Sequence, residues 1–271
     1  MPTLIEAGRI FLANTGSRKA SQLAFHLILA APAALVFAIW ILSLLDNSGQ
    51  VREAVVDGLL GALPLARVAG EKELTSIFDS LSNGAGTVGL VSIPVLLYST
   101  SSALAALRFT VEIANGGVPA SYSFLRMKGQ ELVVAAIGVP LVVLIALLAV
   151  SSTVGDEIGR APVVGRFLYS SAGPILLFLV GTGSLIALFR ILDFERSRIR
   201  GAFWGALVAG LLSVAITNGL SLWFSISGGG SLVYGILAAF MGLMVFAYLI
   251  ANAVTYGAFL SAEITRKTTP A

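Results

Sequence analysis

Six stretches without Asp, Glu, Lys or Arg divide this chain, at 23–45, 88–107, 132–151, 167–189, 201–225 and 231–262. An α-helix rises about 1.5 Å per residue, so about 20 apolar residues cross a hydrocarbon core roughly 30 Å thick. Each stretch reaches that length. A backbone in lipid must satisfy its own N–H and C=O groups, which leaves helices and closed barrels. The short alternating segments of barrel strands are absent, and continuous apolar runs stand in their place. The sequence therefore predicts an all-α fold, a polytopic bundle of six transmembrane helices forming one integral domain over residues 1–271. Composition agrees: 57% of residues are hydrophobic and 11% charged, against about 45–50% and about 25% in soluble domains. The first run is too long for a signal-peptide core and lacks a small-x-small cleavage pattern, so it is expected to remain as an anchor.

Charge between the runs sets the expected threading. Arg9, Arg18 and Lys19 precede the first run; Arg108, Arg126 and Lys128 follow the second; Arg190, Arg196, Arg198 and Arg200 follow the fourth; Arg266 and Lys267 follow the sixth. The alternate connections hold only Arg52, Arg67, Lys72, Arg160 and Arg166. Lys and Arg near span ends stay in the cytosol, which predicts that both termini are cytoplasmic. The excess of basic residues then reflects this sidedness and attraction to anionic membrane lipids, and no nucleic-acid partner is expected. Glu263 falls at the inner interface and is expected to end the sixth span.

The one sizeable outer segment is 46–85. Val51, Val55, Leu59 and Leu63 recur every four residues among Arg52, Glu53 and Asp57, which predicts an amphipathic helix stopped near Pro64. A second short helix is expected over 72–81. The pair would lie on the outer surface of the bundle. The glycine-rich 225–231 predicts a tight turn between spans five and six.

Polar residues inside spans are the informative ones, because lipid offers them no hydrogen bonds. Ser213, Thr217, Ser221 and Ser225 share one helical face, with Asn218 beside it. Ser99 and Ser102 belong to a cluster in the second span, and Asn252, Thr255 and Tyr256 lie in the sixth. These groups either line a polar route or bond to their own and neighbouring helices. Gly201, Gly205 and Ala209, with Ala202, Ala206 and Gly210, provide small residues at four-residue spacing for close helix contact. Pro32, Pro94, Pro140 and Pro174 interrupt four runs, as kinks that build a site or as prolines the bundle tolerates. His26, Arg108, Arg190 and Glu263 all fall near the inner ends of spans. They form either a ring that holds an anionic headgroup or a set of snorkelling anchors.

No enzyme is expected. The chain has one His and no Cys. It also lacks HExxH, P-loop and GxSxG patterns, so the usual hydrolytic and nucleotide-dependent sites cannot be assembled. Neither a metal site nor a cofactor is predicted, because the carboxylates are scattered over the outer segment. Without cysteine no disulfide or thiolate site exists.

The C-terminal third carries a recognisable pattern. A basic loop leads to Gly205 and Ala206; then come Tyr234 and Gly235, Leu237 and Ala238, and a closing Ala262 and Glu263. This resembles the YihY/BrkB family of bacterial inner-membrane proteins, and looser matches, including Leu63 and Pro64, extend the resemblance from about Arg18 to Thr265. Two features depart from the family pattern: six residues separate Phe25 from Pro32 where seven are usual, and the closing "GAE" reads Ser261-Ala262-Glu263. The resemblance implies six spans with cytoplasmic ends and an envelope role; for some members resistance to serum and movement of lipid precursors are proposed. An older ribonuclease label for the family finds no catalytic constellation here.

Two functional readings follow. The first is a transporter or flippase-like protein for a lipid-linked or amphipathic anion. Arg108, Arg190 and Glu263 would receive it, with Ser99, Ser102, Thr217, Asn218, Asn252 and Tyr256 along its route. The second is a non-transporting envelope scaffold that recruits partner proteins through its outer helices. Substrate, coupling ion and oligomeric state are not encoded in any motif.

Overall fold

A computed structural model describes residues 2–45, 85–116, 127–136, 138, 173–192, 199–226 and 235–268. The predicted outer helices of 46–85 lie outside the described residues apart from Ala85, as do the glycine turn after Ile226, most of the third span and the start of the fourth. Among the described residues all regular structure is helical. The helices are α1 (Pro2–Ala13), α2 (Gly16–Leu45), α3 (Ala85–Ala114), α4 (127–136), α5 (Gly173–Leu192), α6 (Ile199–Ile226) and α7 (Gly235–Thr268). Three stretches are long and apolar enough to cross a membrane: Val91–Ala114, Ile199–Leu220 and Met241–Lys267. Phe178–Leu192 is a shorter apolar helix.

Helices α3 and α7 run on past the ends of the apolar stretches that predict them. Helix α3 continues past Arg108 to Ala114. It stops where Asn115 N–H bonds Val111 C=O at 3.0 Å and Gly116 takes φ of +68°, a left-handed cap open to glycine without a Cβ penalty. Helix α7 does not end at Glu263 but runs on to Thr268. Arg266 and Lys267 reach back to the Glu263 carboxylate, one at i+3 and one at i+4, and hold that last turn. Cations at a helix C-terminus also complement its dipole.

Helix α1 is short, polar on parts of its surface, and packed across α7. Phe11 meets the rings of Tyr256 and Phe259 edge-on, at 6.1 and 5.8 Å between centroids. Tyr256 donates its hydroxyl to the Leu4 carbonyl at 3.0 Å. The chain turns into α2 through Thr15, whose φ of 53° is left-handed, while the Phe11 ring covers Gly16 so closely that a Cβ there would overlap it.

The core unites Ala20, Leu23 and Ala24 of α2 with Leu107 and Val111 of α3, Phe189 and Leu192 of α5, Ala202 and Ala206 of α6, and Ala251 and Ala258 of α7. Alanine dominates because helices in lipid gain nothing by hiding apolar surface from one another and associate through close packing. The α6–α7 seam takes this furthest. A Cβ on Gly205 would overlap the Gly257 carbonyl and lie 2.8 Å from Ser261 Cβ, and one on Gly257 would lie 2.6 Å from the Gly205 carbonyl oxygen. Gly210, on the neighbouring row, faces α5, where a Cβ would come within 2.7 Å of Thr182 Oγ1. Helix directions follow from these contacts. Gly201 at the start of α6 meets Thr265 near the end of α7, and Lys19 at the start of α2 stands 5.3 Å from the Phe109 ring near the end of α3. The basic flanks of α2, α3, α6 and α7 thus gather at one end of the bundle.

Candidate functional site

At that basic end, Arg108 of α3 is 4% exposed and Glu131 of α4 is 3% exposed. Burying a charge costs several kcal/mol unless a counter-charge compensates it. Here one does: Arg108 Nη1 lies 3.6 Å from Glu131 Oε1. The other carboxylate oxygen, Oε2, accepts a hydrogen bond from Lys128 Nζ at 3.2 Å, one turn earlier on α4. Glu131 therefore bridges two helices, hydrogen-bonded within its own and ion-paired to the other. The α3 cap at Gly116 ends that helix two turns beyond Arg108.

A second buried carboxylate, Glu263 of α7, is also 3% exposed. Its partners come from its own helix: Arg266 Nη2 at 2.7 Å from Oε2 and Lys267 Nζ at 3.1 Å from Oε1. The two carboxylates are thus built differently, one tying helices together and one closing a helix end.

The remaining residues singled out from sequence divide by surroundings. Arg190 is exposed in the last turn of α5. Ser99 is wholly buried, as are Ser101 and Thr255, and these three hydroxyls have no hydrogen-bond partner among the described residues. Ser102 is half-buried. Thr217 and Asn218 are exposed, and each donates to the carbonyl four residues back, Ser213 at 2.9 Å and Val214 at 2.8 Å. Ser213 and Asn252 do the same toward Ala209 and Tyr248, both at 2.8 Å. Tyr256 is occupied by the α1 backbone. His26, in α2, lies within electrostatic reach of Lys128. The structure brings Arg108 together with Glu131 and Lys128; it shows no direct contact of Arg108 with Arg190 or Glu263 among the described residues.

Glu131 and its hydrogen bond to Lys128 are what sequence reasoning passes over. Glu131 stands immediately before the 132–151 run, at the depth assigned to Arg108. A count of Lys and Arg alone, which decides sidedness, gives no weight to an acidic residue there.

Residues 8–271 match the family described as Virulence factor BrkB. The chain belongs to the BrkB family. No curated protein and no solved structure matches significantly. The match covers nearly the whole chain, so Arg108, Glu131 and Glu263 all fall inside the family region. Family and apolar helices together mark a membrane protein. Among the described residues no group of His, Asp and Glu is placed to hold a metal ion.

Proposed function

We propose that this BrkB-family protein is a transporter or flippase-like protein of the bacterial inner membrane, which takes up a lipid-linked or amphipathic anion from the cytoplasmic side. One observation carries the reading: a buried guanidinium, Arg108, near the end of a membrane-length helix. A guanidinium there offers a planar donor set that matches carboxylate and phosphate oxygens. Interface depth keeps the charge affordable, because the cost of an ion falls steeply away from the bilayer centre. Arg190, exposed at the neighbouring helix end, would guide the anion toward that depth. The test is transport in proteoliposomes. Arg108→Ala is expected to abolish exposure or uptake of an anionic lipid analogue while the protein stays folded; unchanged transport in Arg108→Ala combined with Glu263→Gln removes the assignment.

A second reading, an envelope scaffold, draws support from a different observation. Ser213, Thr217, Asn218 and Asn252 bond to their own backbones, as residues do in a closed bundle with no polar route beside them. Copurification of the same partner protein with wild type and with a transport-dead Arg108 variant would favour it.

A further inference from the structure

We infer that Arg266 and Lys267, at the end of α7, form a headgroup site for an anionic phospholipid of the adjoining leaflet, and that Glu263 is the positioning residue that sets it. The site is separate from Arg108 and stands without the transport reading. Three observations carry it. Glu263 is buried, whereas the two cations it holds, at 2.7 and 3.1 Å, are exposed. The cations outnumber the carboxylate by one, so the group keeps a positive charge, and that charge faces outward. Phe259, Glu263 and Lys267 recur at four-residue spacing and share one helical face, against which α1 packs at Phe259 through the Phe11 ring.

Ordering a free Arg or Lys side chain around a ligand consumes part of the binding energy. Here a buried carboxylate has already ordered both. Arg266 meets it through Nη2 and Lys267 through Nζ, while a guanidinium carries five donors and an ammonium three. Donors therefore remain on the exposed side for phosphate oxygens. Depth selects a lipid over free phosphate. The membrane-length stretch Met241–Lys267 ends on these residues, and Lys267 stands eight positions beyond Phe259, about 12 Å along the axis. Helix α1 thus meets α7 on the bilayer side of the cations, close to the roughly 5–10 Å at which interfacial helices sit below the headgroups. There α1 exposes Leu4, Ile5 and Leu12, of which Ile5 and Leu12, two turns apart, share a face. A phospholipid engages both features, its phosphate on Arg266 and Lys267 and its acyl chains along α1.

The experiment uses the full chain in detergent micelles, with lipid retention read by native mass spectrometry. The probes are dioleoyl phosphatidylglycerol, dioleoyl phosphatidylcholine as the control without net charge, and glycerol phosphate as a headgroup without chains. Wild type should retain phosphatidylglycerol in preference to phosphatidylcholine, and glycerol phosphate should not displace it. Arg266→Gln and Lys267→Gln should each weaken that retention about fivefold, and each variant leaves Glu263 one cation. The Glu263 variants separate positioning from plain charge. Cations acting as free charges would bind the anionic lipid more tightly in Glu263→Gln, because a repelling carboxylate has gone. Loss of positioning makes Glu263→Gln bind about fivefold more weakly, since the lipid must then order two long side chains itself. Glu263→Asp keeps the charge and should recover part of the loss. Ile5→Ser with Leu12→Ser should weaken retention of both lipids alike. Equal or tighter binding in Glu263→Gln, retention unchanged in both cation variants, no effect of the α1 changes, equal retention of the two lipids by wild type, or displacement by glycerol phosphate each overturns the proposal. Should Glu263→Gln fail to fold, Glu263→Asp and the single cation variants decide it.

Discussion

At the scale of single residues, burial separates charges that look equivalent on paper. Glu263 is buried while its partners are not, Arg266 being 71% and Lys267 47% exposed in their side chains. Removing the carboxylate leaves two cations in contact with solvent, whereas removing the cations leaves a buried carboxylate alone. Glu263→Gln should therefore change stability by no more than about 1 kcal/mol. Arg266→Gln with Lys267→Gln should cost about 3 kcal/mol or more. Unfolding of the purified variants in detergent measures both, and equal losses would mean that the carboxylate is wetter than its burial indicates. Tyr256 poses a simpler question. Its hydroxyl bonds Leu4 C=O, 252 positions away in sequence, so Tyr256→Phe should cost about 0.5–1.5 kcal/mol and make α1 more susceptible to proteolysis. The burial of Arg108 was not legible in the sequence, because its partner Glu131 stands 23 positions further on, in another helix, and spacing does not show which helices meet. Glu263 was read from the sequence as the end of the sixth span, yet its helix continues to Thr268 and its partners are close in sequence rather than across the bundle.

Among elements, the α6–α7 seam was readable from the four-residue spacing of its small side chains, and α1 was not. Spacing alone identifies a row but not its neighbour; the structure assigns Gly201 and Gly205 to α7 and Gly210 to α5. Glycine in the seam and glycine outside it should then respond oppositely to the same change. Gly205→Ala drives a methyl into the Gly257 carbonyl and should cost about 1–3 kcal/mol through overpacking. Gly219→Ala, on the same helix with nothing within 4 Å of the new methyl, should be neutral or stabilise by up to about 1 kcal/mol from helix propensity. Melting temperatures of the two variants in one detergent test this, and a loss at Gly219 equal to that at Gly205 would contradict the seam. Helix α1 escaped notice because Glu6 and Arg9 break any apolar run of membrane length. It nonetheless exposes Leu4, Ile5 and Leu12, with Arg9 also exposed, the pattern of a helix lying in the headgroup region. The fluorescence of a Leu12→Trp variant should be quenched by phospholipids brominated near the glycerol end of the acyl chain; quenching by aqueous iodide alone would place that face in water.

For the whole molecule, the apolar runs specified an all-helical chain because run length and backbone satisfaction in lipid leave few alternatives. How the chain crosses the bilayer is a different kind of information, since it depends on charge at the ends of helices that must also pack. The structure links the two. The starts of α2 and α6 and the ends of α3 and α7 meet at one end of the bundle, and Arg18, Lys19, Arg108, Arg200, Arg266 and Lys267 go with them. With both packing and charge asking for the same arrangement, that end should face the cytosol and 46–85 should face the other side. The absence of native cysteine makes the test direct, because each introduced thiol reports without background. Arg18→Cys and Lys267→Cys should react with a membrane-impermeant maleimide in inverted vesicles and stay protected in spheroplasts, while Leu60→Cys should behave the opposite way. Labelling of Lys267→Cys and Leu60→Cys from one side would require an even number of crossings between them, where the six-span reading has five. A closed bundle with its basic flanks together could not then span the membrane as proposed, and the cytoplasmic approach to Arg108 would fall with it.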